Sequence, residues 1–171
     1  MYNFEHQKIR GFMANRHQYK STIVWTGNKG QGTADYGSYE RHYLIKTTGK
    51  PDVLGSADPM FRGDKTLHNP EDLFLASLSS CHMLWYLHLC ADAGIKVQSY
   101  SDDAQGVLEL ESDGSGQFST IELRPNIEIS DKNQLKQAEV LHQKAHQFCF
   151  IARSCTSKIS IFPTIKLTSN A

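Results

Sequence analysis

Residues 69–94 read NPEDLFLASLSSCHMLWYLHLCADAG, and this stretch decides the fold. Its first residues predict a helix start, because Asn69 can cap the helix, Pro70 fits the first turn, and the two acids that follow complement the helix dipole. Gly94 is typical of the residue that follows a helix C-terminus. Apolar side chains occur almost all the way round this helix, so we expect protein to surround it on most sides.

The flanking segments predict strands and one further helix. Segments 21–26 and 39–47 predict a first hairpin around a glycine-rich turn, and a polar loop follows over 49–68. Segments 106–111 and 118–129 predict a second hairpin, and a last strand over 158–167 has Pro163 at an edge or bulge position. A helix starting near Ser130 has one apolar stripe, formed by Leu135, Ala138, Leu141, Ala145, Phe148 and Ala152. This order favours the α+β class, with antiparallel sheets packed around a long central helix.

Composition narrows the classes of function. A chain of 171 residues fits one domain, and 18 basic against 18 acidic side chains give no net field to attract nucleic acid or an anionic membrane. No continuous apolar stretch in the first twenty residues could act as a signal peptide, and polar residues interrupt the most apolar helix. We therefore expect a cytoplasmic protein with no nucleic-acid or membrane partner, in which residues 1–19 form an N-terminal extension.

Four cysteines in a reducing compartment point to redox chemistry, metal binding or packing. Peroxide reduction by cysteine needs a thiolate, a nearby cation and usually a second thiol that captures the sulfenic acid. Cys81 lies midway along the first helix and Cys149 at the end of the second. Cys90 lies nine residues after Cys81, on the opposite side of the helix, so we expect it to pack in the core.

Two motifs carry a family resemblance. Asn69-Pro70-Glu71-Asp72-Leu73, with Cys81 ten positions after Glu71, resembles the Asn-Pro-Glu-x-Leu segment and peroxidatic cysteine of the OsmC/Ohr family of organic hydroperoxide reductases. Ala145-His146 followed by Cys149 resembles the Ala-His-x-x-Cys that holds the family's resolving cysteine. The similarity covers roughly residues 20–168. It implies a single OsmC-like domain over residues 1–171 and an intertwined homodimer.

The resemblance also implies roles. Cys81 would attack an organic hydroperoxide and reduce it to an alcohol, Cys149 would resolve the sulfenic acid as a disulfide, and a dithiol or lipoyl-type reductant would restore both thiols. Family members hold the thiolate with an arginine that pairs with the motif glutamate, here Glu71, and the best positional match is Arg62. Arg41 and Lys29 are less favoured alternatives for the cation. No metal, flavin or other cofactor is implied.

Helix geometry constrains where these residues can meet. In one continuous helix, Glu71 and Cys81 are separated by about 15 Å of rise, so they cannot share a site within one chain. Either the helix breaks between them, or Glu71 and its arginine approach Cys81 of a partner subunit. The second option, together with the apolar faces of the helix, predicts a homodimer with two composite sites.

One departure from the family pattern keeps other readings open. The family commonly continues after the resolving cysteine with Pro-x-Ser, whereas this chain has Phe150-Ile151-Ala152. This difference motivates an alternative function, in which the protein binds a hydrophobic ligand or a metal without peroxidase turnover. Cys155, six residues after Cys149, is an alternative resolving thiol.

A soft-metal site is the remaining alternative. Its possible ligands are His142, His146 and Cys149, with either Cys81 or His82. The set lacks a compact CxxC or HExxH pattern. We therefore expect these histidines to be solvated.

Overall fold

The fold is taken from a computed structural model that describes residues 16–168; residues 1–15 of the predicted N-terminal extension lie outside the described part. The chain divides into two compact units, residues 16–74 and residues 75–168. The prediction of a single domain over residues 1–171 stays a prediction.

The first unit holds a three-stranded antiparallel sheet in the order β1-β2-β3. The strands are β1 Thr22–Trp25, β2 Tyr43–Lys46 and β3 Val53–Gly55. The pairing of β1 with β2 confirms the first hairpin, whereas β3 lies inside the predicted polar loop. A 3-10 turn, Pro59–Phe61, follows β3, and Asp58 caps it by accepting a hydrogen bond from the Met60 N–H at 2.7 Å.

The long helix α1, Pro70–Asp92, is uninterrupted. Its start is a reciprocal cap in which the Asn69 side chain accepts the Asp72 N–H at 2.8 Å and the Asp72 carboxylate accepts the Asn69 N–H at 3.4 Å. Its end is followed by Gly94 at a positive φ of 71°, as the sequence predicts. Because α1 is continuous, Glu71 and Cys81 of one chain are separated by about 15 Å of helical rise.

The second unit contains two further sheets of three strands each, in the orders β4-β7-β9 and β5-β6-β8. The strands are β4 Val97–Asp102, β5 Gln105–Leu110, β6 Gly116–Leu123, β7 Pro125–Ile129, β8 Lys158–Ile161 and β9 Thr164–Leu167. The pairing of β5 with β6 confirms the second hairpin. The predicted antiparallel pairing is present between β4 and β7 and between β5 and β6, whereas β6 pairs with β8 and β7 with β9 in parallel.

Helices α2, Leu135–Phe148, and α3, Phe150–Arg153, complete this unit. The predicted stripe extended α2 through Ala152, but the helix ends before Cys149 and Ala152 belongs to α3. The predicted final strand is likewise two strands, broken at Phe162 and Pro163. One core cluster joins α1, α2 and the β4-β7-β9 sheet; its buried members are Tyr86, Leu89, Cys90, Ile95, Ile127, Ile129, Ala138 and Ala145.

Helix α1 is buried along one face only. That face comprises Leu78, His82, Tyr86, Leu89 and Cys90. Leu84 is 62% exposed, so this chain leaves part of the apolar surface of α1 open, and the expectation that protein surrounds α1 on most sides stays a prediction. Among residues 16–168, α1 is also the one helix long and apolar enough to cross a membrane, a test that core helices pass as well.

Candidate active site

The structure brings the side chains of Cys81 and Cys149 into contact. Cys81 lies in the middle of α1 and is half-buried, whereas Cys149 is fully buried at the junction between α2 and α3. The two thiols lie close enough for Cys81 to affect the pKa of Cys149, and both are free. Their helices thus place one half-buried and one shielded thiol near each other.

Burial distinguishes the two thiols chemically. Loss of solvent, and then the hydrogen bond with Cys81, raises the pKa of the Cys149 thiol to about 12. Backbone N–H groups of Ala152 and Ile151 oppose this rise, and the Ala152 N–H donates to the Cys149 Sγ at 3.4 Å. Cys149 is therefore held as a protonated thiol against its neighbour.

With Phe150-Ile151-Ala152 in place of Pro-x-Ser, Cys149 is still capped by backbone groups. Cys149 is the N-cap of α3, and Phe150 is the first residue of that helix, a position whose N–H needs no helical partner. The N–H groups that contact the sulfur belong to the next two residues, and neither depends on proline or serine side chains. The substitution thus keeps the local cap of Cys149.

Aromatic rings flank the thiol pair. Trp85, one helical turn after Cys81, contacts Phe148 and Phe150 with ring centroids 5.1 and 5.5 Å apart, and these two residues lie on either side of Cys149. Phe150 is 64% exposed. An exposed aromatic cluster therefore lies beside the half-buried thiol, where an apolar molecule could dock.

A buried histidine pair joins the two cysteine helices. His82 Nε2 lies 3.0 Å from His142 Nδ1, and the Tyr86 ring stacks on His142 at 3.8 Å between centroids. The expectation of solvated histidines is wrong for this pair, because His82 is 1% and His142 2% exposed. Burial lowers the pKa of His82 to about 4, with a smaller effect of His146, and burial followed by the neighbouring His82 lowers the pKa of His142 to about 3.

The remaining predicted residues of this unit have other roles. Cys90 is fully buried, as expected of a core thiol, and burial raises its pKa. The Cys155 thiol donates to the Ala152 carbonyl at 3.4 Å and makes no recorded contact with Cys81 within the described part of the chain. No three His, Cys, Asp or Glu side chains among residues 16–168 are arranged to hold a metal ion.

The cation candidates lie in the first unit and differ in their partners. Lys29 is paired with Glu40 at 2.6 Å. The Arg41 guanidinium lies 4.3 Å from the ring centres of both Tyr36 and Tyr39 and donates to their carbonyls at 2.7 and 2.6 Å. These contacts hold Lys29 and Arg41 in the loop.

Arg62 is less constrained and stands on strained backbone. Its φ of 64° lies in the left-handed region, where glycine is the usual residue, and it is the one such non-glycine residue in the described chain. Its guanidinium is 5.6 Å from the Tyr36 ring centre, and no carboxylate of residues 16–168 lies within 4 Å of it. The costly backbone conformation, together with the lack of a carboxylate partner among the described residues, makes Arg62 a candidate site residue.

Glu71 has a buried oxygen that lacks a partner. Its Oε2 makes no hydrogen bond to any described residue. The nearby Tyr43 hydroxyl is also buried without a hydrogen-bond partner among the described residues. Burial, and then the Glu71 charge, raises the pKa of Tyr43. The structure therefore does not bring Arg62 to Glu71 within the chain, and it leaves at Glu71 an acceptor that an added donor would satisfy.

Comparison with known proteins shows the family of this chain. The family model described as OsmC-like protein matches residues 63–162. An OsmC-like protein of unknown function from Vibrio cholerae is 30% identical, with 88% of this chain and 100% of that chain covered and a TM-score of 0.77. No curated protein matches the chain in sequence.

More distant structures share the fold. An organic hydroperoxide resistance protein from Elizabethkingia anophelis is 20% identical over 91% of this chain and 100% of that chain, with a TM-score of 0.65. The organic hydroperoxide resistance protein OhrB of Bacillus subtilis is 20% identical over 88% of this chain and 98% of that chain, with a TM-score of 0.57. The protein belongs to the OsmC-like family, and its fold is the mixed α+β fold of that family.

Proposed function

We propose that this protein is a cytoplasmic thiol-dependent peroxidase that reduces organic hydroperoxides to alcohols. The observation that carries the proposal is the proximity of a half-buried Cys81 thiol to a fully buried Cys149 thiol whose pKa is raised by burial. Family relatives that are named for organic hydroperoxide resistance support the choice of substrate. The exposed aromatic cluster beside the thiols favours an apolar substrate over hydrogen peroxide.

The proposed reaction reaches the disulfide in two steps, oxidation of Cys81 and condensation with Cys149. The Cys81 thiolate attacks the distal oxygen of the hydroperoxide, an S–O bond forms as the O–O bond breaks, and the alkoxide leaves and takes a proton from water. The Cys149 sulfur then attacks the Cys81 sulfur, so that an S–S bond forms and the S–O bond breaks. The leaving hydroxide takes the Cys149 proton and departs as water. A dithiol or lipoyl-type reductant returns two electrons by thiol–disulfide exchange.

We further propose that the active site is completed across a homodimer. Arg62 and Glu71 of one subunit would serve Cys81 of the other, with the guanidinium stabilising the thiolate and the glutamate orienting the guanidinium. The unpartnered Glu71 oxygen, the unpaired Arg62 and the largely exposed Leu84 on α1 support this arrangement. Arg41 is the alternative cation.

Intact-protein mass spectrometry tests the reaction. After one equivalent of cumene hydroperoxide, the native protein should lose two hydrogens as a disulfide forms. Cys149→Ser should gain one oxygen and stop there, and Cys81→Ser should not react. Cys155→Ser is the matched control, because it removes a half-buried thiol from the same segment, and it should behave as the native protein. An unmodified native protein would refute the proposal and leave ligand binding as the function.

Subunit mixing tests the composite site. Cys81→Ser and Arg62→Ala chains are inactive alone in this proposal, but their heterodimers contain one intact site and should recover up to about a quarter of native turnover, on random exchange with two independent sites per dimer. No recovery despite proven exchange would place the arginine and the cysteine in one chain. A monomer in sedimentation at micromolar concentration would also refute the composite site.

A further inference from the structure

The histidine pair lies where the two cysteine helices are joined. His82 is the residue after Cys81 on α1, and His142 lies seven residues before Cys149 on α2, about two helical turns away. Each histidine is thus fixed to a helix that carries one of the two thiols. The nitrogen-to-nitrogen distance of 3.0 Å makes the pair a direct link between those helices.

His142 contacts two successive turns of α1. Its Nδ1 meets the edge of His82, and its face stacks on Tyr86, four residues further along α1, with an angle of 14° between the ring planes. A side chain held at its edge and its face cannot slide along α1 without losing one of these contacts. The contacts therefore define both the spacing and the axial register of the two helices.

The pair is costly to keep, which argues against simple packing. His82 Nδ1 and His142 Nε2 are buried without a hydrogen-bond partner among residues 16–168. Unsatisfied buried nitrogens destabilise the folded chain, whereas apolar side chains of similar volume would fill the space without this penalty. What two histidines add is a directional contact, since one ring must donate to the other at a fixed angle.

We propose that His82 and His142 are positioning residues that hold the Cys81 and Cys149 sulfurs at the separation and angle required for disulfide closure. Neither histidine reacts. The inference deepens the proposed function, because it assigns the second step to a defined contact between the helices. The inference depends on the proposed function only where hydroperoxide is the oxidant that leads to the disulfide. Closure by another oxidant tests the same geometry independently.

The test separates the two steps of oxidation. His142→Phe keeps an aromatic ring for stacking on Tyr86 but removes the contact with His82. In stopped-flow experiments with cumene hydroperoxide, sulfenic acid formation should stay within about twofold of native, while disulfide closure should slow by at least about tenfold. His142→Asn places an amide near the lost Nδ1 and should restore closure to within about threefold.

A second oxidant makes the inference independent of peroxidase activity. Diamide accepts two electrons and two protons from a thiol pair and forms the same disulfide without peroxide. Closure by diamide should show the same order, with native and His142→Asn fast and His142→Phe slow. If the native protein closes with diamide but ignores hydroperoxides, the proposed function fails and the positioning role stands.

A control variant and a second contact variant complete the test. His88→Gln changes an exposed histidine of α1 that is paired with Asp92 at 3.5 Å, and it should leave both steps unchanged. If His142→Phe does not fold, His82→Leu removes the same contact from the other helix and carries the same expectation. Closure at the native rate in a folded variant without the contact would overturn the inference. Equal slowing of both steps would overturn it as well.

Discussion

The two buried histidines should make the stability of the protein strongly dependent on pH. Their pKa values in the folded chain, about 4 for His82 and about 3 for His142, lie below the ordinary value of 6.5. The unfolded chain therefore binds more protons between pH 6.5 and pH 4, so stability is complete above this range and falls as the pH falls through it. At pH 5 an unfolded histidine is almost fully protonated, whereas both folded histidines remain largely neutral.

The magnitude follows from linkage. Between pH 7 and pH 5 each histidine loses about 2 kcal/mol of the free energy of unfolding, so the pair contributes a loss of about 4 kcal/mol. The value depends little on the folded pKa, provided that it lies well below 5. Urea titrations at half-unit steps from pH 7.5 to pH 5 measure it, because the extrapolated free energy of unfolding can be compared at each pH.

His142→Phe isolates the contribution of one imidazole. The loss of stability between pH 7 and pH 5 should be smaller by about 2 kcal/mol in this variant than in the native protein, and the carboxylates common to both proteins cancel in the comparison. His88→Gln, on the exposed face of α1, serves as the matched control and should retain the steep dependence. Parallel curves for native protein and His142→Phe would show that His142 is not neutral and buried as described.

Two backbone predictions follow from the first unit. The free energy of unfolding in urea should be about 1 kcal/mol higher for Arg62→Gly than for Arg62→Ala, because only glycine relieves the positive φ of 64°. Both variants should lose peroxidase activity equally. Equal free energies of unfolding would show that the backbone at residue 62 is not strained. Gly63→Ala should cost at least about 3 kcal/mol of unfolding free energy, because its Cβ would lie 1.6 Å from the Ala57 carbonyl oxygen. Gly114→Ala, with open space around it, should cost only about 1 kcal/mol, and similar losses at the two sites would refute the steric reasoning.

The sequence predicted elements that nearby residues specify, such as the start of α1. It missed strands that form only by pairing with segments far away in the sequence. The start of α1 was predictable because capping residue, proline and acids act within one helical turn. Strand β4 has the sequence VQSYSD, with no alternation of apolar residues, and it exists through its pairing with β7. The parallel pairing of strands could not be predicted from the sequence either. Two helices separate β6 from β8 along the chain, and the register of these strands depends on how the unit packs.

The residues of the candidate site were also predicted only in part from the sequence. Motif spacing selected both cysteines, and the structure adds their contact and the burial that separates their chemistry. The histidine pair was missed because spacing along α2 places His142 on a helical face but cannot show that Tyr86 and His82 cover it. The signal available in the sequence was its position between Ala138 and Ala145, small buried residues that permit close approach of α2 to its neighbours.

Burial of Cys149 also explains how one pair of thiols can act in a fixed order. Because burial raises the pKa of Cys149 well above its ordinary value, Cys149 is protonated at pH 7, so it cannot compete for the first molecule of peroxide. Cys81, half-exposed and adjacent, is the thiol that a substrate can reach. Once Cys81 is a sulfenic acid, the hydroxide that leaves can take the Cys149 proton directly, and the high pKa no longer prevents attack. The order of the proposed steps therefore follows from which thiol is shielded by the fold.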